Sequence, residues 1–221
     1  MSGPDARGPR EPVAAGPRAV GDVHRFVPGT TGLTLLVLHG TGGDENDLLP
    51  LAARLAPGAN LLAPRGPVLE QGMLRFFRRR GIGVFDLEDL ARRTAELARF
   101  LRDAASHYGF DPARVAAVGY SNGANIAASL LLTDGEALAA AILLRPVLPF
   151  EPAHLPDLAG RAVYIAAGRR DPHAPIASVE ALAAALRAAG ASVDLAWTEG
   201  GHALEPEELA AASSWLARHA P

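Results

Sequence analysis

From about residue 33 to the C-terminus, short apolar runs alternate with longer stretches whose apolar residues recur every three or four positions. Leu33–Leu38 (LTLLVL) reads as a continuous apolar run, as expected for a strand covered on both faces. Asp44–Ala56 has a helical pattern and Asn60–Ala63 reads as the next strand. Asp86–Tyr108 carries Leu87, Leu90, Leu97 and Leu101 with charges between them, an amphipathic helix closed by Gly109. Then follow strand Val115–Gly119, helix Asn122–Leu132 and strands Ala139–Leu144 and Val163–Ala167. Helix Pro175–Ala189, ended by Gly190, strand Val193–Thr198 and helix Pro206–Arg218 complete the series. Such alternation predicts a mostly parallel sheet with crossover helices on its faces.

Composition narrows the function classes. The 221 residues fit one domain, and 49% hydrophobic with 20% charged residues is ordinary for a globular chain. A net charge of −3 gives no reason to expect nucleic acid or an anionic membrane as partner. All 21 basic residues are arginine, which reflects base composition rather than function. With no cysteine, a disulfide framework, a thiolate nucleophile and Cys-ligated zinc are all excluded. No stretch approaches the roughly 20 apolar residues of a membrane span, and the start lacks the apolar core of a secretory signal. The expected location is therefore the cytoplasm. Residues 1–20, rich in Pro, Gly and Arg, are expected to be flexible, with the folded domain over 21–221.

The chemistry centres on Gly119-Tyr120-Ser121-Asn122-Gly123, a match to G-x-S-x-G between a predicted strand and a small-residue helix. A strand that turns sharply into a helix lifts the serine to the apex, and flanking glycines keep side chains out of the crowded turn. The helix beginning at Asn122 directs its N–H groups at charge developing on the reacting atom. One oxyanion donor is then Asn122 N–H. The glycine-rich turn His39-Gly40-Thr41-Gly42-Gly43 after Leu33–Leu38 supplies the second, assigned to Thr41 N–H. A phosphate cradle is the rival reading of that turn, but it lacks the lysine of a P-loop and the G-x-G-x-x-G spacing.

A serine of this kind needs a base and an acid, in the chain order Ser, acid, His. Order removes His24, His39 and His107, so His39 is read as bracing the turn. His202, in Glu199-Gly200-Gly201-His202, falls between a strand and a helix, where catalytic groups gather at strand ends. Asp171, in GRRDPHAP after Val163–Ala167, is placed to hold its imidazole. His173 is assigned to solvent or to the pocket rim.

Together LHGTGGDENDLLPLA, GYSNGA, LRPVLP, GRRDPHAP and GGHAL resemble the phospholipase/carboxylesterase family of small α/β-hydrolases. PRGPVLEQGMLRFFRRRGIGVFDLEDL is more particular. It is similar to the bacterial hydroquinone- and catechol-inducible carboxylesterases, near the dienelactone-hydrolase-like branch. The resemblance implies a single-domain α/β-hydrolase fold, a Ser121–Asp171–His202 triad and oxyanion donors from Thr41 and Asn122, and no insertion between the predicted strands is long enough for a large lid. The activity implied is hydrolysis of small or short-chain carboxylic esters, with no cofactor or metal. Its rivals are a lysophospholipase or acyl-thioesterase, and a non-catalytic binder on the same fold. Asn122 stands where acyl-protein thioesterases usually carry Gln, which argues against protein depalmitoylation.

Arg145, where related sequences often have histidine, either faces the pocket and favours acidic esters or pairs with a surface carboxylate. Phe76 and Phe77 either line the acyl site or pack onto the core, and Val147 in LRPVLP is a further substrate-contact candidate. Arg78-Arg79-Arg80 is read as a solvated face. A homodimer is left open.

Overall fold

The computed structural model describes residues 23–81 and 83–221; the N-terminal segment 1–20 lies outside the described residues. Seven strands form the main sheet: β1 (His24–Val27), β2 (Thr34–Leu38), β3 (Asn60–Pro64), β8 (Val115–Tyr120), β9 (Ala140–Leu144), β10 (Ala162–Gly168) and β11 (Ser192–Thr198). Their spatial order is β1-β3-β2-β8-β9-β10-β11, parallel throughout except for the antiparallel edge pair β1·β3.

The apolar runs are explained by two-sided burial. Along β2, Leu36 and Leu38 enter the core on one face of the sheet, while Leu35 and Val37 enter the core on the other. Burying each such side chain contributes about 1.5–3 kcal/mol, so runs of this kind hold the sheet's centre. The first face is covered by α2 (Leu87–Tyr108), α3 (Asn122–Thr133) and α4 (Ile176–Ala188). The second is covered by α1 (Leu49–Leu55) and α5 (Pro206–His219), which give it Ala52, Leu55, Trp215 and Leu216. Asp86 caps α2 by accepting from Asp89 N–H at 3.2 Å, and Gly109 ends it in the left-handed conformation at φ 73°. No helix of the described residues is long and apolar enough to cross a membrane.

Three local features differ from the sequence pattern. The first helix begins at Leu49 rather than Asp44, because Asp44 Oδ1 accepts Asn46 N–H at 2.8 Å and makes a side-chain turn instead. Pro50 then sits in the first helical turn, where no N–H is needed. The edge strand β1 carries no continuous apolar run because only one side of it is covered: Phe26 stacks on Tyr108 at 3.9 Å between ring centres. The connection from β3 to α2 holds two small hairpins, β4 (Val68–Glu70) with β5 (Met73–Arg75) and β6 (Arg79–Gly81) with β7 (Val84–Phe85). Gln71 and Gly72 turn the first hairpin with φ values of 53° and 77°.

Candidate active site

Loops leaving the carboxyl ends of β2, β8, β10 and β11 meet above the sheet. At the end of β8, Ser121 has φ 52° and ψ −112°, a conformation that costs a non-glycine residue energy and is kept only where the surroundings enforce it. They do so by close packing. A Cβ on Gly123 would stand 2.1 Å from Leu38 O, and one on Gly119 would stand 2.5 Å from Gly123 O. Ser121 N–H donates to Leu144 O at 2.8 Å, fastening the turn to the end of β9.

His202 Nε2 lies 3.0 Å from Ser121 Oγ and His202 Nδ1 lies 2.7 Å from Asp171 Oδ2. A carboxylate only accepts, so Nδ1 carries the proton and Nε2 is the acceptor facing the hydroxyl. Asp171 is enclosed, and its second oxygen accepts His173 N–H at 2.8 Å. The arrangement can take a proton from Ser121 Oγ as that oxygen attacks an electrophile. His173 stands on the rim, its ring 5.0 Å from that of His202.

The turn after β2 brings Thr41 to the same cavity, and among the described residues its N–H meets no acceptor. Asn122 N–H is the first of helix α3 and so has no intrahelical partner. The turn is braced from behind. His39 is buried, with Nδ1 2.7 Å from Gly40 O, and its Nε2 accepts Gly66 N–H at 2.9 Å. Burial holds the imidazole below its usual value of 6.5, in the neutral form this pairing requires. Next to it, Arg65 grips Glu45 at 2.6 and 2.7 Å, and that hydrogen-bonded pairing pulls the Glu45 carboxyl down to about 2. The first hairpin adds Gly42 N–H to Leu74 O at 2.8 Å and Arg75 Nη1 to Thr41 Oγ1 at 2.7 Å.

A cavity of about 830 Å³ opens over Ser121, walled on one side by the two hairpins. Met73, Phe85 and Val147 contribute apolar surface, Arg75 and Arg79 contribute positive charge, and no carboxylate of the described residues lines it. Arg79 takes up Glu70 at 2.5 Å, leaving Arg75 at 3.9 Å from that carboxylate. Burial lowers the Arg75 pKa, a sign that the charge is incompletely compensated. Asn122 also lines the cavity. Its Oδ1 accepts Phe76 N–H at 2.7 Å, while its Nδ2 is buried without a partner among the described residues.

Several residues stand elsewhere than expected. Phe76 and Phe77 are core residues and do not line the cavity; Phe76 packs on His39 and Phe77 meets Phe85 edge to face at 5.0 Å. Arg145 does not reach the cavity either, being 1% exposed and paired with the buried Glu208 rather than with a surface carboxylate. Of the run Arg78–Arg80, Arg79 turns inward to the cavity, whereas Arg78 and Arg80 stay largely exposed. Arg75 was missed in the sequence. It carries no local signal, because only the folding back of the first hairpin over the serine turn brings it to the cavity.

The sequence signature of the dienelactone hydrolase family matches residues 85–215. Over 192 residues the chain is 49% identical to MhqD of Bacillus subtilis (strain 168), covering 87% of this chain and 96% of that protein. A carboxylesterase from Bacillus cereus superposes with a TM-score of 0.89 at 46% identity, covering 91% of this chain and 96% of that one. The structure of YahD with malic acid superposes with a TM-score of 0.85 at 31% identity, covering 90% and 99%.

Proposed function

The chain belongs to the dienelactone hydrolase family and is an ester hydrolase, and we propose that Ser121, His202 and Asp171 cleave small carboxylic esters through an acyl-enzyme. The observation that carries this reading is the hydrogen-bonded chain from Ser121 Oγ through His202 to Asp171, at 3.0 and 2.7 Å, on a strained strand-to-helix turn. Ser121 Oγ attacks the ester carbonyl as its proton passes to His202 Nε2. The carbonyl oxygen becomes an oxyanion held by Thr41 and Asn122 N–H, a type of contact worth ~10²–10³ in rate per donor. His202 then gives the proton to the departing alkoxide. Water next loses a proton to His202, attacks the acyl carbon and releases the acid, restoring Ser121 O–H. Asp171 holds the imidazole tautomer and stabilises the imidazolium through both steps.

The cavity supports a short substrate that carries its own negative charge. Its volume suits a small ligand, and Arg75 is a buried cation whose nearest carboxylate is engaged by Arg79. The likeness to YahD, whose structure holds malic acid, supports the same reading.

A fluorophosphonate probe tests the proposal. It should label Ser121, and Ser121→Ala should abolish both labelling and ester hydrolysis. His202→Ala and Asp171→Ala should each lower kcat by about 10⁴-fold or more. Full activity in Ser121→Ala would overturn the mechanism. A kcat/KM that climbs steadily with acyl length would overturn the short-ester assignment and favour a lysophospholipase or thioesterase.

A further inference from the structure

The loop that carries His202 is held by its backbone carbonyls. Gly201 O accepts from Arg145 Nε at 2.8 Å, His202 O accepts from Tyr120 Oη at 3.0 Å, and Ala203 O accepts from Arg145 Nη2 at 2.7 Å. Three consecutive carbonyls are thus captured by two side chains from the ends of β8 and β9. The remaining edge of the guanidinium is filled by Glu208, with Nη1 and Nη2 at 2.6 and 2.7 Å from its two oxygens. Glu208 in turn accepts Glu205 N–H at 2.9 Å, in the first turn of the helix that follows the loop.

Arg145 is itself immobilised. Its side chain is fully enclosed, its N–H donates to Ala166 O at 2.8 Å, and the neighbouring Leu144 O accepts Ser121 N–H. It adopts φ 57°, a left-handed conformation seldom seen outside glycine. A buried charge is tolerated only when paired and hydrogen-bonded, and a bidentate fork with two further carbonyl contacts meets that condition. The same backbone step, 144–145, therefore touches the serine turn on one side and the histidine loop on the other.

We infer that Arg145, locked by Glu208, is a positioning residue that sets the distance from His202 Nε2 to Ser121 Oγ; this rests on His202 being the base. Holding two loop carbonyls and a carboxylate at once requires the planar fork. A lysine ammonium can keep the charge opposite Glu208 but cannot reach both loop carbonyls in one fixed plane. Misplacing a reacting group by about 1 Å can cost ~10² in rate, so the loss falls on proton transfer and not on substrate binding.

Kinetics of Arg145→Lys, His202→Ala and the double variant, with thermal unfolding of each, test the inference. In Arg145→Lys, kcat should fall at least about tenfold while KM stays within about twofold. In the His202→Ala background the same change should cause no further loss, since the two act as one unit. Arg145→Ala should regain kcat when guanidinium chloride is added and not with sodium chloride. Should the Arg145 variants fail to unfold cooperatively, Glu208→Gln, which keeps an acceptor for Glu205 N–H, should still lower kcat with KM unchanged. Wild-type kcat in a folded Arg145→Lys, or in Glu208→Gln where that serves as the test, would overturn the inference, as would an equal loss in the His202→Ala background. Should His202→Ala itself be fully active, the base assignment fails first and is distinguished by that result.

Discussion

At the scale of single residues, the cavity's character follows from where charge is left unmatched. Arg75 is fixed by Phe77 O at 3.2 Å and Thr41 Oγ1 at 2.7 Å, so it is held rigid while its charge stays only loosely countered. Such a group gains most from a ligand carboxylate, because the hydrogen bonds formed are charge-assisted and partly shielded from water. Arg75→Leu should therefore raise KM about 10–100-fold for esters bearing a free carboxylate and leave neutral esters of equal size within a few-fold. Equal losses on both substrate types would mean that Arg75 serves only to hold Thr41. Gly123 illustrates a different constraint. A methyl group there would overlap Leu38 O, a backbone atom with no freedom to move aside. Gly123→Ala should slow probe labelling of Ser121 by at least about 10²-fold, measured as a second-order rate.

At the scale of elements, the serine turn and the oxyanion turn are held in different ways. The first is stiff because β8, β2 and α3 pack backbone on backbone; the second depends on His39, Glu45, Arg65 and Gly66, a polar bracket between the ends of β2 and β3. That bracket makes the stability of the fold depend on pH through two groups. His39 has a folded pKa below 6.5, so its contribution to stability is complete above that value and is lost as pH falls through the folded pKa. Glu45, lowered to about 2 from 4.5, contributes above 4.5 and loses that contribution as pH falls toward 2. Urea midpoints followed from pH 8 to 3 should show wild type weakening first below about 6.5, with His39→Gln flatter over that step. Glu45→Gln should flatten only the lower step. Parallel curves for wild type and His39→Gln would show that the imidazole is not what titrates there.

At the scale of the whole molecule, two helical layers on a seven-stranded sheet bring together groups from four separate loops. Much of this was legible in the sequence. A strand buried on both faces must be apolar throughout, so β2, β8, β9 and β10 announced themselves without reference to any partner. The serine turn was legible as a short local pattern, and Gly119 answers a crowding within it, against Gly123 O, whereas Gly123 answers Leu38 O on the neighbouring strand. Ser121, Asp171 and His202 could be selected by chain order, and the structure brings their side chains within hydrogen-bonding distance. The pattern failed where a side chain's role depends on a distant segment. Phe76 and Phe77 are apolar in either role, and only their packing on His39 and Phe85 puts them in the core. Arg145 at a strand end could face substrate or protein, and its partners lie 56 to 63 positions further along the chain. Arg75 and Arg79 differ from Arg78 and Arg80 in which way a short hairpin turns them. Periodicity and local turn chemistry are written in neighbouring residues, and those the sequence determined by itself. Which buried charge finds which partner is a long-range matter, decided only when the folded sheet brings its loops together.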